Sequence, residues 1–298
     1  MSIARYERLE ALPLLPASPP SKRVGGLITA IREISANRQL LDLLVRRDLK
    51  SRYKDSALGF VWTLIRPITQ LIVYYVVLGQ FLGAARGIPD FAVYIFTGLT
   101  IYGLFSEIVA GGTGSIVGNS GLIKKVYVPR EIFPLASVGS ALFNFVVQLV
   151  VLFAATAIFN VFPMHAKLLY FIPSVAIILI YGLAFALLLA ALNVFLRDIQ
   201  YLSDVVLMLL MWASPIVYSW SAAANQFGNS ILLDIYTNNP ITLAVLGFHK
   251  AFWINGAPEE YPPDLILRMG IAMAVGLIVL LLCHRVFAKL QGDFAQEL

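Results

Sequence analysis

Charge is what this sequence has least of. Asp, Glu, Lys and Arg make up 13% of its 298 residues, about half the ~25% typical of soluble domains. So few charges cannot cover a water-facing surface of this size. That excludes a soluble enzyme, a nucleic-acid-binding module and a disordered chain. Cysteine is nearly absent as well. The single Cys283 has no partner for an internal disulfide, which excludes a secreted disulfide framework. In its apolar run it reads as a small packing residue. No G-x-x-x-x-G-K-[ST] run occurs, so the chain does not bind ATP through a P-loop. The three histidines, His165, His249 and His284, stand far apart, which argues against a histidine metal site. Asp90, Asp234, Glu259, Glu260 and Asp264 lack the close Asp-x-Asp pairing of a divalent-metal sugar-nucleotide site. No catalytic residue and no metal ligand is assigned. Residues 1–24 lack the apolar core of a secretory signal. Their Pro13, Pro16, Pro19 and Pro20 read as a flexible cytoplasmic tail.

What is present is apolar. Hydrophobic residues reach 59% and mean hydropathy is +0.80. The expected fold is an all-α integral membrane protein with six transmembrane helices, at about 57–83, 92–115, 133–160, 168–194, 201–220 and 266–287. Each holds the ~20 apolar residues that a 30 Å hydrocarbon core requires. Residues 25–55 read as one amphipathic helix in the membrane interface. There Leu27, Ile31, Ile34, Leu41, Val45 and Leu49 form a stripe beside Arg32, Arg38, Arg46, Arg47 and Lys50. Residues 56–290 form the six-span domain.

Lysine and arginine set the orientation. Arg5, Arg8, Lys22, Arg23, Arg32, Arg38, Arg46, Arg47, Lys50, Arg52 and Lys54 precede the first span. Lys124, Lys125, Arg130, Arg197, Arg285 and Lys289 fall on the same side. The opposite loops receive Arg86, Lys167 and Lys250. Both termini are therefore expected in the cytoplasm. The long stretch 221–265 is external. Its segment Ile241–Trp253 is too short to span and reads as a re-entrant or interfacial helix, opened by the turn at Asn238, Asn239 and Pro240. Gly111, Gly112, Gly114, Gly118 and Gly121 do not fit a phosphate loop and read as close helix packing or a bend near the inner end of the second span.

Ionisable residues inside spans usually mark a function or a pair. Arg66 in the first span and Glu107 in the second are expected at similar depth, as an interhelical ion pair. The alternative is that Arg66, followed by Pro67, snorkels to the inner headgroups. Asn144 and Gln148 share one face of the third span, and Gln70 and Tyr74 one face of the first. They read as interhelical hydrogen bonding, with a polar pathway as the alternative. Tyr74, Tyr94, Tyr102, Trp212 and Tyr218 are candidate pore aromatics; interfacial belts explain such residues as well.

Several motifs together resemble a known family. They are Arg47-Asp48-Leu49-Lys50-Ser51-Arg52-Tyr53-Lys54, then Ser56-Ala57-Leu58-Gly59-Phe60-Val61-Trp62 and Pro67. Asn119-Ser120-Gly121-Leu122-Ile123-Lys124-Lys125-Val126-Tyr127-Val128-Pro129 with Pro134 follows, then Leu196-Arg197-Asp198-Ile199 and Asn239-Pro240. In order and spacing over about residues 30–290 they resemble the permeases of ABC-2 type polysaccharide exporters, which move O-antigen, capsule, teichoic acid or galactan. Within that family it also resembles mycobacterial lipid-linked galactan exporters.

The resemblance implies a homodimeric twelve-span pore above two copies of a separate P-loop ATPase, which binds the ATP and magnesium. It needs no cofactor in this chain and makes it a non-enzymatic subunit in a bacterial inner or plasma membrane. Leu122, Ile123, Lys124, Lys125 and Val126 would be the coupling segment that meets the ATPase; a plain basic loop is the alternative. Arg46, Arg47, Lys50, Arg52 and Lys54 on the gate helix would meet the diphosphate of a polyprenyl-linked glycan, since arginine offers a two-pronged phosphate contact. Binding of ordinary anionic lipid explains the same charges. The cargo implied is a lipid-linked polysaccharide. An integral-membrane glycosyl- or phosphotransferase and an ion-coupled secondary transporter are the rival readings. The first would need a cluster of acidic and basic groups on one face, the second more mid-span carboxylates or an internal repeat.

Overall fold

In lipid the backbone must satisfy its own hydrogen bonds, and helices do so within a single segment. The structure, a computed structural model, describes residues 27–53, 61–81, 83, 87–125, 128–159, 161–163, 165–228 and 230–298; the side chains at 27–31, 52, 53, 66 and 78 lie outside that description. Every regular element among the described residues is helical.

Among the described residues two helices precede the bundle, α1 (Leu27–Ala36) and α2 (Arg38–Tyr53), where one was expected over 25–55. Asn37 separates them. Its side-chain amide donates to Glu33 O at 2.8 Å, the local competition that makes asparagine poor in helix interiors. The first spanning helix, α3 (Trp62–Tyr74), contains Pro67 and continues as a π-helix over Tyr75–Phe81. Next come α4 (Phe91–Gly118), the short α5 (Ser120–Ile123) and α6 (Ile132–Ile158). A 3-10 turn, Ala166–Tyr170, leads into α7 (Phe171–Phe195), and α8 (Ile199–Trp212) follows. Three shorter helices, α9 (Trp220–Phe227), α10 (Ile231–Thr237) and α11 (Pro240–Phe252), precede the last long helix, α12 (Leu265–Leu290). The chain ends in α13 (Phe294–Glu297).

Among the described residues five helices are long and apolar enough to cross a membrane, and the pair α10–α11, bent by 66°, would make a sixth by length alone. The expected fifth span is cut short. A span over 201–220 was read from the sequence, but α8 stops at Trp212 after 14 residues, about 21 Å of helix. Pro215 has no N–H to continue the ladder, and Ser214 Oγ turns back to Leu210 O at 2.8 Å. The chain then folds into α9–α11 at the end away from most of the basic residues, here the far end; the other is the basic end. The segment expected as a re-entrant or interfacial helix is α11. It is buried along almost its whole length, which fits the re-entrant reading and not a helix lying on a surface.

The sequence order explains where the core sits. Helix α4 packs against α6 and α7, and α12 closes on α7 from outside. Ile101, Ile108, Ile177, Ala186, Phe248 and Met269 are buried at the centre. The α4–α7 crossing depends on small residues. A Cβ at Gly112 would sit 2.4 Å from Ala186 Cβ, so these backbones meet as small-residue interfaces in membranes do. Gly118 and Gly121, expected to share that role, have open space beside them. Outer faces of α3 and α8 stay largely apolar and are not covered by the described residues, with Ile72, Val73, Tyr201, Val205 and Leu209 exposed.

Candidate functional site

Amides and a carboxylate gather on one cavity between α3, α4 and α6. Gln70 from α3, Glu107 from α4 and Asn144 and Gln148 from α6 line one cavity of about 830 Å³, with Ser106, Tyr102, Trp62 and Met211 around them. Glu107 lies 11 residues from the end of α4 and Asn144 12 residues into α6, so both sit roughly 16–18 Å from the basic end. Asn144 Nδ2 donates to Glu107 Oε2 at 2.8 Å. Its Oδ1 is buried without a protein partner, which leaves an acceptor for a hydroxyl or amide donor. Sequence spacing put Asn144 and Gln148 on one face; the fold adds Gln70 and Glu107 from two other helices. The side chain of Arg66 lies outside the described residues, and its neighbours Thr63 and Pro67 line the same cavity.

Aromatic residues close the far end. Tyr94 is buried. Its hydroxyl contacts Pro215 O at 2.9 Å and Tyr218 O at 2.7 Å, its ring stacks on His249 at 4.1 Å and Trp253 meets it edge-on at 4.8 Å. Tyr218 donates to Trp212 O at 2.8 Å, and Tyr102 donates to Leu207 O. These hydroxyls anchor α8 and the turn after it, because buried phenols and carbonyls must find partners. Tyr74 is half-buried against the far-end cluster around Phe91 and Tyr94. Trp212 is half exposed at the tip of α8. Of the five aromatic candidates, then, Tyr102 alone lines the cavity, and Tyr94 has no free ring face for a sugar. The Lys250 ammonium lies 4.7 Å from the Tyr170 ring and 5.2 Å from the Tyr261 ring, two cation–π contacts. Burial, reinforced by the Glu260 charge, pushes the Tyr261 hydroxyl up from its ordinary value.

At the basic end, α5 projects between α4 and α6. Ile123 is buried in a cluster with Leu44, Ile132, Phe133, Phe287 and Phe294, and Leu122 is half-buried against it. Lys124 and Lys125 are exposed, and Val126 lies outside the described residues. Ile123 thus anchors the segment while the lysines face outward. Helix α2 docks beside it. Val45 Cγ2 would be 2.7 Å from a Cβ at Gly139, so glycine there lets α2 lie directly on α6. Arg46 pairs with Asp42 at 2.8 Å and Arg47 with Asp48 at 2.7 Å, all partly exposed; such pairs hold little energy and yield readily to a stronger anion. Lys50 is exposed. Lys54 and the side chain of Arg52 lie outside the described residues. No three His, Cys, Asp or Glu side chains converge as a metal site among the described residues.

The ABC-2 type transporter family matches residues 39–253, most of the chain from α2 to the end of α11. This protein belongs to the ABC-2 type transporter family. Among similar proteins, the O-antigen export system permease protein RfbA of Myxococcus xanthus is 30% identical over 273 residues, 91% of this chain and 100% of that protein. RfbA of Klebsiella pneumoniae is 28% identical over 263 residues, 87% and 96% of the two chains. The polysialic acid transport protein KpsM of Escherichia coli is 30% identical over 84 residues, 28% of this chain and 32% of that one.

In this ABC-2 protein the cavity is only half legible in the sequence. Periodicity within one helix reveals Asn144 with Gln148, but not which residues of other helices face them. Glu131 and His284 were also missed. They are buried 3.7 Å apart at the basic end, where α6 begins and α12 ends. Neither sits in a motif, and only the fold joins positions so far apart in sequence.

Proposed function

We propose that this chain is the membrane permease of an ATP-driven polysaccharide exporter, and that its cargo is a lipid-linked glycan taken from the cytoplasmic side. The observation that carries this reading is the mid-bundle cavity with Gln70, Glu107, Asn144 and Gln148. A glycan offers many hydroxyls and few charges. Carboxamides and a carboxylate both donate to and accept from hydroxyls, and inside a membrane such groups persist only where they face a partner or a polar path. The names of the relatives, O-antigen export and polysialic acid transport, point to the same class of cargo.

A second copy of the chain covers the apolar faces of α3 and α8 and completes the pathway. Two copies of a P-loop ATPase dock at the basic end, which lies in the cytoplasm of a bacterial inner or plasma membrane. There Lys124 and Lys125 are presented outward on an anchored Ile123. ATP binding in the partner moves this segment, and the buried cluster of Ile123, Phe133 and Phe287 passes the displacement to α6 and α12. The basic residues of α2, with Arg46 and Arg47 released from Asp42 and Asp48, receive the diphosphate of the carrier lipid.

Reconstitution with the partner ATPase tests the reading. Liposomes are supplied with polyprenyl-diphosphate-linked O-antigen or galactan, with free glycan and with carrier lipid alone. ATP-dependent movement of at least one lipid-linked glycan, with no movement of the other two, is expected. Transport that follows an ion gradient without ATP would overturn it.

A further inference from the structure

A second cavity lies at the far end, on the outside of the bundle. We infer that it is a binding groove for a bilayer phospholipid whose headgroup carries both a phosphate and a primary amine. This goes beyond the transport reading and needs only that the far end meets a membrane surface.

The groove, about 540 Å³, lies between α12, the start of α11 and Tyr181 of α7. That volume falls in the range of small-molecule sites, about 300–1,000 Å³. Its α12 wall is one stripe: Asp264, Leu267, Arg268, Ile271 and Val275, each three or four residues from another member and so on one face. The two charges stand at the membrane-surface end and the apolar residues run roughly 16 Å inward. The stripe thus has the polarity of a lipid lying along it. Leu267 and Ile271 remain 61% and 56% exposed in the chain, so the inward part is open to an acyl chain.

The charged end is built to hold a headgroup. Arg268 Nε donates to Pro263 O at 3.1 Å and Nη1 donates to Asn238 Oδ1 at 2.8 Å. These bonds fix the guanidinium over the groove and use two of its five N–H donors. The others are left for a phosphate, in the forked geometry arginine favours. Asp264 begins α12 in a left-handed conformation, and its side chain caps no helix N–H. It is exposed, and no ion pair joins it to Arg268. One fixed cation and one separate carboxylate on the same rim match a zwitterionic headgroup better than a purely anionic one. An amine with N–H donors suits the carboxylate better than a quaternary ammonium, which has none.

The full-length protein, purified in mild detergent, is exchanged into phosphatidylethanolamine, phosphatidylglycerol or phosphatidylcholine, and retained lipid is read by native mass spectrometry. Wild type is expected to retain phosphatidylethanolamine preferentially. Arg268→Gln should lower its retention about tenfold, as loss of a charged hydrogen bond implies. Asp264→Asn should remove the preference over phosphatidylglycerol. Ile271→Trp fills the groove without touching either charge and should abolish retention, which keeps the test decisive if Arg268→Gln folds poorly. Equal retention of the three lipids by wild type, or unchanged retention by Ile271→Trp, overturns the inference. So does a disulfide between two copies carrying Ile271→Cys in a Cys283→Ser background, because the groove is then a subunit contact.

Discussion

At the scale of single residues, the bundle puts polarity to two uses. Tyr94 is polar for structure. Its hydroxyl meets two carbonyls of the turn after α8, and Tyr94→Phe should destabilise the protein by about 1–3 kcal/mol, since those buried carbonyls lose their donor. A lowered melting temperature in detergent checks this, and an unchanged one contradicts the anchoring role. Glu107 is polar within a cavity. Glu107→Gln keeps a side-chain oxygen for Asn144 Nδ2 but removes the charge. Transport should fall several-fold while ATPase co-purification stays level. Wild-type transport in that variant would show that the carboxylate charge is not used by the cargo.

At the scale of elements, α5 and α13 are short pieces fixed by a shared cluster. Phe294 of α13 is fully buried, lies edge-on to Phe287 at 5.5 Å and has the Arg130 guanidinium 5.6 Å from its ring. Removing the ring should cost about 3–5 kcal/mol, as other large-to-small core changes do. Phe294→Ala is therefore expected to loosen the basic end, seen as faster hydrogen exchange in α5 and the start of α6 before the rest. Exchange rising equally everywhere would contradict a local role. Lys124→Glu with Lys125→Glu leaves that cluster intact. It should reduce co-purification of the ATPase with no change in melting temperature, and undiminished association would rule out α5 as the docking point. The sequence located α5 through its basic pair, but gave Ile123 the same outward role as the lysines. A four-residue helix has no periodicity from which to tell an anchor from a contact.

At the scale of the whole molecule, the asymmetry of basic residues makes a prediction about sidedness. In a Cys283→Ser background, a cysteine at Lys289 should react with an impermeant thiol reagent only from the cytoplasmic side, and one at Glu259 only from outside. Labelling of both from one side would break the topology. The charge count, the long apolar runs and the lysine and arginine distribution follow from composition and local order, so the all-helical membrane fold could be read directly. The length of α8 could not. Met208, Leu209 and Trp212 are as apolar as any span, and the helix ends because Pro215 has no N–H to continue it and the carbonyls of Pro215 and Tyr218 meet the Tyr94 hydroxyl, a donor that only the folded far end supplies. The burial of α11, the placing of Gln70 on one cavity with Glu107 and Asn144, and the approach of Glu131 to His284 were likewise decided by tertiary structure. Hydropathy states how much a segment avoids water, and periodicity states which face it turns inward. Which distant segments share that interior depends on how backbones pack at places such as Gly112 against Ala186, and a linear pattern does not contain that information.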